Sequence, residues 1–119
     1  MRFALTIGAL LLMGSVTQTQ AHAFLDHAEP RVGATVLAAP VEVKLWFSQE
    51  IEQAFSTVNV RDAKGARVNK ASSQVDPADR TLLRVSLEAL PPGAYTVVWR
   101  VVSVDTHVTE GDFVFHVGQ

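Results

Sequence analysis

The sequence predicts an all-β domain, a seven-stranded Greek-key sandwich or barrel, and three observations point to it. Residues 41–47 and 113–117 alternate apolar and polar side chains, the period of a half-buried strand. Residues 95–104 form a long β-branched and aromatic run, suited to a central strand buried on both faces. Beyond residue 21 no segment keeps a helical period, while Pro30, Gly33, Pro40, Pro77 and Pro91-Pro92-Gly93 interrupt the chain at the spacing of sandwich turns.

Taken in order, the first element is an export signal. Arg2 supplies a positive charge, and an apolar run follows from Phe3 to Val16. That run is shorter than the ~20 residues a membrane helix needs, so residues 1–21 read as a cleaved secretory signal and 22–119 as the mature domain, with no membrane span. Cleavage after Ala21 leaves His22 first; Ala21-His22-Ala23 also has the favoured small-x-small form, and cleavage after Ala23 would delete His22. The strands expected next are residues 41–47, 55–60, 81–87, 95–104 and 113–117, with a turn at Asp62-Ala63-Lys64-Gly65. Leu90 through Tyr95 has the pattern of a tyrosine corner, in which the hydroxyl ties back to nearby backbone. The architecture is of the immunoglobulin-like or cupredoxin-like kind.

Composition narrows the chemistry. The 119 residues suit one domain, and 48% apolar with 18% charged residues rules out disorder. No cysteine is present, which excludes disulfides, thiolate zinc sites, iron–sulfur clusters and a cysteine-ligated blue-copper centre. A net charge of −2 disfavours nucleic acid as a partner. Losing residues 1–21 removes Arg2 and both methionines, Met1 and Met13, and leaves all four histidines: a mature chain with imidazoles and carboxylates but no sulfur.

Two sites could carry metal chemistry. A terminal amine and the Nδ1 of a terminal histidine can close a chelate ring on one ion, and both lose protons to a metal near neutral pH. With one more imidazole, such a donor set suits tetragonal Cu(II). His22 is either half of that chelate or an ordinary frayed terminus. The second site is Asp105-Thr106-His107, where residues i and i+2 of an extended segment share a face. A D-x-H triplet also occurs by chance in solvated loops.

Trp99-Arg100-Val101-Val102-Ser103-Val104-Asp105-Thr106-His107, followed by Gly111 and the alternating 113–117, resembles the C-terminal signature of the CopC family of periplasmic copper-resistance proteins. His22, Pro30, Gly33, Leu45-Trp46-Phe47-Ser48 and Leu90 through Tyr95 match that family's pattern in order, so the resemblance covers the whole mature chain. It implies a seven-stranded sandwich or barrel holding one Cu(II) in a histidine brace. His22 would give its amine and Nδ1, His107 a ring nitrogen, and Asp105 a weaker oxygen. It also implies copper buffering or carriage in the periplasm beside a CopD-type inner-membrane copper transporter. Where the family often has F-S-E, this chain reads Phe47-Ser48-Gln49-Glu50; Gln49 offers no carboxylate, and Glu50 would face the other way on a regular strand. Some relatives carry a methionine-rich Cu(I) loop, but residues 61–80 contain neither Met nor His, so a single Cu(II) site is expected.

The remaining candidates receive plainer roles. His27 is expected on the opposite face from His22, solvated or orienting a ligand; His116 should face solvent, and Trp99 should be core. Arg100 should pair with a carboxylate, while Glu110 and Asp112 should be loop charges. Two other function classes fit parts of the pattern: a histidine-brace copper oxygenase, for which the domain offers little substrate platform, and a metal-free immunoglobulin-like assembly module, which leaves His22, Asp105 and His107 coincidental.

Overall fold

The computed structural model describes residues 23–119. The export signal, its cleavage point and His22 therefore lie outside the described residues. Eight strands form two four-stranded sheets: β1 (Leu25–Glu29), β2 (Thr35–Val36), β3 (Glu42–Phe47), β4 (Thr57–Arg61), β5 (Gln74–Val75), β6 (Leu82–Ser86), β7 (Gly93–Val102) and β8 (Val108–Val117). One sheet runs β1-β3-β6-β5 and the other β2-β8-β7-β4, so the chain crosses between sheets repeatedly, as a sandwich with Greek-key connections does. Among the described residues the only helical segment is a 3-10 turn at Gln53–Phe55. No helix there is long and apolar enough to cross a membrane.

Alternation decides which faces meet. Val43, Leu45 and Phe47 of β3 and Leu83 and Val85 of β6 point inward from one sheet. Val58 and Val60 of β4, Tyr95, Val97, Trp99 and Val101 of β7, and Phe113, Phe115 and Val117 of β8 point inward from the other. Phe47 meets the Trp99 ring edge-on across the two sheets at 5.2 Å, and Tyr95 stacks on Phe115 at 5.5 Å. The Tyr95 hydroxyl donates to the Pro91 carbonyl, closing the expected tyrosine corner. On the outer side Arg84 forks onto Glu42 at 3.0 Å and reaches Asp76 at 2.8 Å, holding the Asp76 carboxyl below its usual range.

Several expectations change. The strand count is eight rather than seven: besides the five segments named above there are β1, which the sequence pattern did not single out, and β2 and β5, two-residue strands made by backbone pairing with no sequence pattern of their own. β7 is central by hydrogen bonding but not buried on both faces: Val98 is 41% exposed and Arg100 lies in solvent, because only one face of this largely antiparallel sheet meets the core. β8 starts at Val108, five residues before the alternating segment, so Glu110 and Asp112 stand on a strand and not in a loop. Glu110 lies directly opposite Arg100 and pairs with it at 3.1 Å, the carboxylate that Arg100 was expected to find.

The ten-pair β7–β8 ladder runs from Gly93 opposite Val117 to Val102 opposite Val108. Within it Gly111 faces Trp99, and a Cβ at Gly111 would stand 2.8 Å from Trp99 Cε2 and closer still to Cζ2. The indole lies flat against the space a side chain would fill. Gly111→Ala is expected to destabilise the protein by about 1–3 kcal/mol through overpacking, read as a lower urea midpoint with an unchanged slope; an unchanged midpoint would contradict this packing.

Candidate metal centre

Three chain segments converge at one end of the sandwich: residues 23–24, residues 48–52 after β3, and residues 103–109 at the β7–β8 turn. The turn is closed by its own backbone. Ser103 N–H donates to the His107 carbonyl at 2.9 Å, and Thr106 N–H to the Ser103 carbonyl at 2.8 Å. Thr106 sits at φ 74°, in the left-handed region that a β-branched residue seldom occupies. The neighbouring segment pins the turn from outside: Ile51 bridges Ser103, Val104 N–H donates to the Glu50 carbonyl at 3.1 Å, and Glu52 N–H to the Val102 carbonyl at 2.8 Å.

Asp105 and His107 come together here, with Asp105 Oδ1 3.4 Å from His107 Nδ1. Their proximity does not arise from strand alternation, as the i, i+2 spacing suggests. Residues 103–107 form a tight turn, and the chain reversal swings both side chains to one side. Ser103 organises the pair. It is fully buried, its Oγ donates to Asp105 Oδ1, and it accepts the His107 N–H at 3.3 Å. That hydroxyl, aided by the adjacent imidazole and opposed by partial burial, holds the Asp105 carboxyl below the ordinary aspartate value. Asp105 is therefore an anionic oxygen donor at neutral pH, beside an imidazole that is about half exposed.

The first described residues are tied to the same end. Ala23 is fully buried, and its carbonyl accepts the Thr109 hydroxyl at 2.7 Å. Phe24 N–H donates to Ser48 Oγ at 2.9 Å, and Ser48 N–H donates back to the Phe24 carbonyl at 2.8 Å. β1 then begins at Leu25 and carries a β-bulge between Leu25 and His27. The chain that leaves residue 22 thus enters the body one residue later, against β8 and two positions from His107. Among the described residues no three His, Asp or Glu side chains form a metal-binding group; Asp105 and His107 are a pair, and His22 lies outside the described residues.

The other candidates lie elsewhere. His27 is exposed on the outer face of the β1-β3-β6-β5 sheet, stacked on Trp46 at 4.4 Å and hydrogen-bonded to Asp26 at 2.8 Å. The bulge breaks the parity by which its face was expected relative to His22, which lies outside the described residues; His27 itself is solvent-exposed. His116 is exposed, Trp99 is core, and Glu50 is exposed with its carbonyl engaged by Val104. Sequence reasoning missed Ser48, Ser103 and Thr109 as organisers. Ser103 lies within the signature, which was its only signal; Ser48 and Thr109 act on residues 24 and 86 positions away.

Comparison with known proteins places the family and the fold. The CopC domain family model matches residues 25–118. Protein YobA of Escherichia coli (strain K12) is 39% identical over 119 aligned residues, covering 98% of this chain and 94% of that protein. The crystal structure of CopC from Methylosinus trichosporium OB3b superposes with a TM-score of 0.76 at 33% identity, over 82% of this chain and 94% of that one. PcoC, a methionine-rich copper resistance protein from Escherichia coli, superposes with a TM-score of 0.68 at 33% identity, over 82% and 99%.

Replacing Ser103 with Ala removes the main cause of the lowered Asp105 pKa, so in metal-free protein that carboxyl should titrate closer to the ordinary aspartate value. The sign follows: a depressed native pKa adds stability above the unfolded value and loses it as pH falls through the native one, so the variant should lose less stability on acidification. Side-chain carboxyl NMR titration checks this, and an unmoved Asp105 titration would refute the role given to Ser103.

Proposed function

The chain belongs to the CopC family, and from that premise we propose that it binds one Cu(II) ion in the periplasm, buffering or carrying copper without catalysing a reaction. The ligands are the His22 amine and Nδ1, a ring nitrogen of His107, and the Asp105 carboxylate as a weaker oxygen contact. The observation that carries this reading is the Asp105–His107 pair: an ionised oxygen and an imidazole 3.4 Å apart on a turn fixed by a fully buried serine. Nitrogen and oxygen donors with no sulfur suit Cu(II) and not Cu(I). PcoC is described as methionine-rich; this chain has two methionines, Met1 and Met13, both within the proposed signal. A CopD-type inner-membrane transporter is the partner that would receive or supply the ion.

The proposal requires cleavage after Ala21. The full burial of Ala23 supports it, since cleavage after Ala23 would take a core residue along with His22. The same cut would turn the Phe24 N–H that Ser48 accepts into a charged ammonium.

Exported protein beginning at His22, verified by intact mass, is expected to hold one Cu(II) per chain in a chelator competition. His22→Ala or His107→Ala should each weaken binding by more than about 100-fold, beyond the usual effect of losing an outer-shell partner. A methionine added ahead of His22 should do the same by displacing the amine. Full affinity in both alanine variants would refute the ligand set, and ascorbate-driven glycan oxidation by the copper-loaded protein would favour an oxygenase.

A further inference from the structure

We propose that Thr109 and Ser48 are positioning residues that aim the terminal chelate at His107, a clamp on the two residues that follow the ligand. The inference rests on the copper reading above. Three consecutive backbone polar groups are held by side chains or backbone from both sheets. The Ala23 carbonyl accepts Thr109 Oγ1 at 2.7 Å from β8, while the Phe24 N–H and carbonyl are both taken by Ser48, just beyond the end of β3. Ala23 itself is sealed in the core. A terminus of this length would ordinarily fray; this one is fixed immediately after residue 22.

The fixed point lies beside the other ligands. Thr109 is the second residue of β8, two positions beyond His107, the last residue of the turn that leads into that strand. The group Thr109 holds is the carbonyl of the residue directly after His22. One hydroxyl therefore sets the separation between the two halves of the metal site, before any ion arrives. Ordering that is already present in the free protein need not be supplied at binding, so the clamp raises affinity without touching copper.

The test uses exported protein with its first residue verified. Thr109→Val keeps the shape of the side chain and deletes the hydroxyl; Thr109→Ser keeps the hydroxyl. Thr109→Val and Ser48→Ala are each expected to weaken Cu(II) binding about 10-fold or more, with altered copper hyperfine splitting in the EPR spectrum and unchanged circular dichroism. Thr109→Ser should restore both affinity and spectrum. In metal-free protein, the Phe24 amide should exchange slowly with solvent and quickly once Ser48 is Ala. Should Thr109→Val fail to fold, the Ser48 variant and the Phe24 amide decide the matter alone. Wild-type affinity and spectrum in the clamp variants, with His107→Ala still losing copper, would overturn the clamp and leave the ligands standing. Retention of copper by His107→Ala would overturn the ligand reading itself.

Discussion

The register of the β7–β8 ladder is the constraint on which the rest depends. Ten consecutive pairs fix which side chains face inward, and a slip of one residue would turn every one of them outward. The same register seats the Trp99 indole over Gly111, sets Arg100 opposite Glu110, and delivers the chain to a five-residue turn at the end of the sandwich. The turn inherits its place from the ladder. Asp105 and His107 are not held by a core of their own; they ride on the last registered pair, Val102 and Val108, and on a serine tucked beneath them.

Much of the fold was legible because burial writes itself into alternation. The inward faces of β3 and the second half of β8 could be read directly, as could the tyrosine corner at Pro91. What stayed hidden has physical causes. β2 and β5 are pairings of backbone with backbone, which leave no side-chain pattern. The first half of β8 is masked by Thr109, Glu110, Gly111 and Asp112, residues that read as a loop but sit where the sheet meets solvent and where Trp99 needs space. The β7 run looked doubly buried because Val98 and Val102 are apolar, although their face carries no covering layer.

The candidate metal site divides along the same line. Asp105 and His107 were visible as a motif, yet the reason they meet was not, since a turn rather than an extended strand joins them. Thr109, and the partner of Ser48 within its matched run, were invisible for a different reason. A hydroxyl that holds a carbonyl 86 residues away leaves no local trace, and a threonine on a strand looks like any other. Local chemistry shows in sequence spacing, whereas the arrangement that aims it is tertiary.

Thr106 is, among the described residues, the one non-glycine with positive φ, and it stands between the two candidate ligands. A β-branched residue in that conformation carries backbone strain on the order of 1–3 kcal/mol, sustained only because its surroundings over-determine it. If the end of the hairpin frays, Thr106 relaxes first, and Asp105 and His107 part as it does. An ion bridging them, as proposed above, would work against that release, and the tip of the hairpin would then be a spring held shut in part by that ion. On that reading, binding and local melting at this end are two sides of one equilibrium.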